Sequence, residues 1–183
     1  TLEKQNIFYT IFDGVVPDAP DDVINAAAKL ARESHSDLVI GIGGGSSMDT
    51  AKAISVLLDN PGTISDYYAR NASEFSSRIP LILLPTSSGT GSEVTGLCVI
   101  HDTASHAKIP VYRIANLAIV DPMLTVSAPP AVTAASAFDA MSHALEAYTS
   151  KYHTEKVDTL ALQAIQLIAE NILVAYEDGS NVI

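Results

Sequence analysis

The chain has one cysteine in 183 residues. No internal disulfide can form, so packing must hold the fold together, and a reducing compartment such as the cytoplasm suits it. That cysteine, Cys98, sits in the apolar run Leu97-Cys98-Val99-Ile100, which reads as a buried inert thiol rather than a nucleophile. Basic residues are scarce as well: ten Lys and Arg stand against 21 Asp and Glu, a net charge of −11. Gripping a nucleic-acid backbone or an anionic lipid surface requires a basic face, so both are set aside as partners. No apolar run approaches the roughly 20 residues of a membrane span. No charged and then apolar stretch opens the chain as a secretory leader would, and repeats and low-complexity tracts are missing. No Ser-His-Asp or Cys-His arrangement offers nucleophilic catalysis, and no Gly-Lys-Ser/Thr closes a P-loop. What remains is an acidic chain, 48% hydrophobic, long enough for one large domain or two modest ones.

Hydrophobic periodicity alternates between strand and helix over the first two-thirds. Residues 6–12, 37–42, 79–84, 96–100, 108–111 and 117–120 read as strands, and 21–33 and 46–58 as helices. After Pro129-Pro130 the pattern is helical throughout, at 132–148 and 154–176. The second of these carries Leu160, Ala161, Ala164, Ile165, Ile168 and Ile172 on a core-facing stripe. The expected fold is α/β: a doubly wound, mostly parallel nucleotide-binding domain over 1–124, then the start of an all-helical domain over 125–183. Two helices are too few to bury their own apolar faces, so the chain reads as part of a longer polypeptide.

Three motifs carry chemistry. The first, Gly41-Ile42-Gly43-Gly44-Gly45-Ser46-Ser47-Met48-Asp49, follows a strand and opens a helix. Consecutive glycines let backbone N–H groups approach an anion, and the helix N-terminus adds partial positive charge. A pyrophosphate is the natural guest, although Ser46 stands where the usual dinucleotide fingerprint has its last glycine. The plainer alternative is a tight turn with Ser46 and Asp49 forming a capping box. The second motif, Pro85-Thr86-Ser87-Ser88-Gly89-Thr90-Gly91-Ser92-Glu93, leaves the next buried strand and offers hydroxyls to a nucleotide; in a parallel sheet both loops issue from carboxyl ends of strands. Alternatively it is a solvated Ser/Thr loop that caps a helix. The third is Asp139 and His143, four apart on an apolar helix. Residues at i and i+4 share a face, and an oxygen with a nitrogen donor suits zinc, iron or manganese. His35, His101, His106 and His153 provide no convincing third ligand.

Together, these segments resemble the iron-containing alcohol dehydrogenases: Gly43-Gly44-Gly45-Ser46 with Asp49 and Ala51-Lys52, the Pro85–Glu93 loop, and Phe138-Asp139-Ala140-Met141-Ser142-His143-Ala144-Leu145-Glu146. The resemblance implies NAD or NADP bound by Gly43, Gly44, Gly45 and Ser46 at the pyrophosphate. Thr86, Ser87, Thr90 and Ser92 would line the cofactor cleft, and Lys108 would reach the ribose. Asp139 and His143 would be two ligands of Fe2+ or Zn2+, completed by histidines from later helices. It further implies hydride transfer between a small alcohol and its aldehyde or ketone, in a cytoplasmic homodimer or larger homo-oligomer. Two other readings stay open: a metal-independent relative such as a maleylacetate reductase, and a truncated nucleotide-binding protein without catalysis.

Overall fold

The computed structural model describes residues 2–181. The chain divides into two compact units. One holds the residues up to Leu84 together with Ser92–Ile119; the other holds Pro85–Gly91 and the residues from Val120 on.

The first unit is α/β. Helix α1 (Asp21–Glu33) opens after Pro20 with Asp21 and Asp22 in its first turn and closes with Arg32 in its last, the charge order that a helix dipole favours. Strand β1 (Val39–Gly43) leads into α2 (Gly45–Asp59), and β2 (Leu81–Pro85) follows. Strands β3 (Leu97–Asp102), β4 (Ala107–Tyr112) and β5 (Leu117–Ala118) complete the unit. Strands β1, β2 and β5 form one sheet in that order, with β5 parallel to β2 in the register Ile82 to Leu117.

Strands β3 and β4 do not join that sheet. They form a separate antiparallel hairpin, registered from Leu97–Tyr112 to Asp102–Ala107. Only residues 103–106 connect them, too few for the crossover a parallel pair needs. A second departure concerns 6–12. This segment forms no strand, and Phe8 and Ile11 are exposed. Its alternation is strand-like, but a strand exists only with a ladder partner, and none pairs with it among the described residues.

Helix α2 is the centre of the unit. Ala53, Val56 and Leu57 pack with Ile24, Ala28, Ile64, Cys98, Ile100 and Val111, while Met48, Ala51 and Ile54 pack with Ala27, Val39, Leu81 and Leu83. The helix is buried on nearly every side from Met48 to Leu57, and each large apolar side chain fully buried here contributes on the order of 1.5–3 kcal/mol. Gly41 makes the close approach possible: a Cβ there would lie 2.6 Å from Ala51 Cβ and 2.7 Å from Leu83 Cδ2.

In the second unit, α3 (Pro130–Thr149) starts with proline in its first turn, and α4 (Glu155–Glu177) starts from an N-cap Thr154 whose hydroxyl accepts the Val157 N–H at 3.3 Å. The two helices pack along each other, yet only Ala144 and Ala161 of them are buried. Leu160, expected on the core stripe, is 57% exposed. The absence of a span-length apolar segment also needs correcting. By length and composition alone α4 would suffice to cross a membrane, because Asp158 and Glu170 are spaced widely enough among Leu, Ile and Ala to leave the average high.

Candidate functional site

The glycine loop ends β1 at Gly43, whose φ of 147° suits only glycine, and whose absent Cβ would meet Ser47 Oγ at 2.5 Å. Gly44 is the N-cap of α2 and no side chain caps the helix. Its first-turn N–H groups are thus the kind that an anion satisfies. The alternative capping box does not form. Asp49 instead accepts the Ser92 hydroxyl at 2.6 Å and the Val99 N–H at 3.0 Å. Ser92, read from sequence as lining a cleft, is accordingly buried.

Ser46 and Lys108 are brought together through a residue the sequence reading passed over. Asp18 donates its backbone N–H to Ser46 Oγ at 3.1 Å and pairs with Lys108 Nζ at 2.7 Å. Lys108, by its hydrogen bond and its charge, holds the Asp18 carboxyl below the usual carboxylate range. Asp18 and the buried Ala19 both have left-handed backbone, at φ 70° and 47°. Such conformations persist where the surroundings dictate them. Here the Ala19 carbonyl accepts the His101 N–H of β3 at 3.2 Å.

Lys52 was missed as a structural participant. It has no exposed surface, and its ammonium donates to Leu97 O at 2.7 Å, Thr95 O at 3.1 Å and Thr95 Oγ1 at 3.2 Å. Burial lowers its pKa and raises that of Asp49. Asp49 and Lys52 thus grip the backbone of residues 92–99, the segment that follows the Ser/Thr loop. Cys98 is fully buried, burial pushes its thiol pKa up, and Sγ lies 3.4 Å from Val111 O, as expected of an inert thiol.

The second unit contains Thr86, Ser87 and Thr90, with Thr86 and Ser87 half-buried and Thr90 exposed. Ser87 and Ser88 share a cavity of about 390 Å³ with Thr133 and Ser136 of α3 and with Leu167 and Ile172 of α4. Asp139 and His143 lie on α3 with Oδ1 and Nε2 3.6 Å apart, each side chain about half exposed. That is long for a hydrogen bond and close to the spacing of two ligands on one ion: donors at about 2.1 Å and the tetrahedral angle stand about 3.4 Å apart. The donor pair therefore fits half of a metal site. No cluster of three or more His, Cys, Asp or Glu suited to a metal is found among the described residues. His153 pairs with Asp158 at 2.8 Å, and the rings of His101 and His106 stack edge-to-face across the β3–β4 hairpin.

The sequence model of iron-containing alcohol dehydrogenases matches residues 1–122, and that of the family's C-terminal region matches 133–183. The chain belongs to the iron-containing alcohol dehydrogenase family. Among curated members it is 41% identical to long-chain-alcohol dehydrogenase 1 of Geobacillus thermodenitrificans, aligned over 98% of this chain and 46% of that protein. It is 40% identical to the NAD-dependent methanol dehydrogenase of Bacillus methanolicus, over 99% and 48%. Among solved iron-containing alcohol dehydrogenase folds, a 1,3-propanediol oxidoreductase superposes with a TM-score of 0.89 at 34% identity, over 98% of this chain and 48% of that one. The sulfoacetaldehyde reductase of Bifidobacterium kashiwanohense in complex with NAD+ gives 0.88 at 32%, over 98% and 50%. The chain thus spans about half the length of the relatives it matches.

Proposed function

We propose that the iron-containing alcohol dehydrogenase to which this chain belongs interconverts an alcohol and its aldehyde or ketone with NAD, using iron held in part by Asp139 and His143. The observation that carries this reading is the Asp139–His143 pair, 3.6 Å apart on one face of α3. Support comes from the names of relatives, which include a 1,3-propanediol dehydrogenase and an NAD-dependent methanol dehydrogenase, and from the family's iron-containing description. When bound, the ion supplies Lewis acidity to the substrate oxygen and the nicotinamide exchanges hydride with the carbon.

The chain's own residues bind and orient. Gly43, Gly44, Gly45 and Ser46, the loop and first residues of α2, present backbone N–H groups to the pyrophosphate. Thr86, Ser87 and Thr90 offer hydroxyls to the cofactor, and Lys108, paired with Asp18, would reach the ribose. Ser92 serves the same end indirectly, through Asp49. Asp139 and His143 remain on one helix face, where a carboxylate and a neutral imidazole fix the oxygen and nitrogen donors at set spacing. Cytoplasmic residence and assembly as a homodimer or larger belong to the same reading.

The test is metal analysis of the full-length enzyme with Asp139→Ala and His143→Ala. Each substitution is expected to strip most of the metal and lower kcat/KM by at least about a hundredfold, while NADH affinity stays within a few-fold of that of the metal-free wild type. A metal-free wild-type enzyme with full activity would favour a metal-independent reductase instead.

A further inference from the structure

Gly89 is where the Ser/Thr loop meets the turn of α3 that carries Asp139. A Cβ on Gly89 would lie 2.8 Å from the Ser136 carbonyl oxygen, 3.0 Å from Ser136 Cα and 3.2 Å from Asp139 Oδ2. Two of these atoms are helix backbone and cannot swing aside as the end of a long side chain can. The requirement is one of packing. Gly43, Gly62 and Gly91 have positive φ, and Gly89 is not among them. The loop and α3 also belong to one compact unit, and Ser87 and Ser88 share a cavity wall with Ser136 and Ala137. The residues assigned to the cofactor and the residue assigned to the metal are thus in van der Waals register through a single hydrogen-for-methyl gap.

We propose that Gly89 is a positioning residue that couples cofactor binding to metal binding, so that NADH and the divalent ion each tighten the other. The proposal rests on the function proposed above. Cofactor on Ser87 and Thr90 orders the loop, and the ordered loop packs Gly89 against Ser136. That contact sets the turn on which Asp139 is presented. A contact of this kind transmits displacement because helix backbone held at van der Waals distance cannot give way as the end of a flexible side chain can. Linkage then demands reciprocity: the factor by which NADH tightens the metal equals the factor by which the metal tightens NADH. A methyl at 89 would force the loop away from α3 and break the register.

The experiment uses the full-length enzyme and Zn2+ as the metal probe. Zn2+ affinity is measured by competition with a chromophoric chelator, with and without saturating NADH. NADH affinity is measured by fluorescence, with and without Zn2+. Wild type is expected to show mutual tightening of roughly fivefold or more, equal in both directions. Gly89→Ala is expected to bring the factor below about twofold. Gly96→Ala serves as the control, because its Cβ would meet only the side chain of Ile114, at 3.3 Å, and it should retain the wild-type factor. A Gly89→Ala enzyme that keeps the full factor overturns the proposal. So does a wild type that binds both ligands independently, a result that leaves the proposed function intact and needs no variant to fold. A wild type that fails to bind NADH or Zn2+ overturns the function and this coupling together.

Discussion

A lysine without exposed surface is tolerable only when each ammonium proton has an acceptor, and Lys52 meets that condition with the carbonyls of Thr95 and Leu97 and the Thr95 hydroxyl. Lys52→Met keeps the volume and strands these acceptors, which is expected to destabilise the fold by about 1–3 kcal/mol in urea unfolding. The pH dependence has a definite sign. Burial lowers the folded-state pKa of Lys52 below the ordinary lysine range, so at alkaline pH the unfolded chain binds more protons than the folded one, and stability from this group rises with pH up to about 10.4. The gap between wild type and Lys52→Met should widen across that window; a gap that narrows would contradict the assignment. This residue also marks a limit of sequence reading. Asp139 and His143 were legible because helical spacing alone aligns them. The acceptors of Lys52 lie more than 40 positions away, and no local pattern encodes them. Asp18 was hidden for the same reason, its partners being Ser46 and Lys108.

At the scale of elements, α2 has contrasting ends. Its N-terminus has no side-chain cap, consistent with an anion taking that role. Its C-terminus is held by another helix: Arg32 of α1 donates to Leu57 O at 2.6 and 3.1 Å and to Asn60 O at 2.9 Å. Charge-assisted bonds to last-turn carbonyls complement the dipole. Arg32→Ala is expected to cost about 1–2 kcal/mol in thermal or urea unfolding and to leave NADH affinity of the full-length enzyme unchanged. Loss of NADH affinity with stability intact would place Arg32 in the binding machinery. Helices and strands near 21–59 and 79–85 were readable because burial dictates their composition. The reading of a mostly parallel sheet did not anticipate that β3 and β4 pair as an antiparallel hairpin, whose four-residue connection, 103–106, is too short for a crossover. The alternation at 6–12 misled because pairing, which decides whether a segment is a strand, is not a property of the segment.

At the scale of the whole molecule, the two units differ in how much apolar surface they remove from water. In the first, α2 alone buries a continuous run from Met48 to Leu57 apart from Asp49. In the second, α3 and α4 together bury Ala144 and Ala161 and leave Phe138, Leu145, Leu160, Leu162, Leu167 and Leu173 exposed. Local opening free energy follows buried apolar contact. Helices that keep so little of their surface dry are held mainly by their own backbone bonds. In hydrogen exchange on this 183-residue chain, amides of α2 are therefore expected to outlast those of α4 by at least about a hundredfold, equivalent to roughly 3 kcal/mol of opening free energy. The measurement belongs at several protein concentrations. Exposed leucine at this density favours association, and association would protect α4 in proportion to concentration while leaving α2 unaffected. Equal protection of both helices at the lowest concentration would mean that α4 is stabilised within a single chain, contrary to its exposure here.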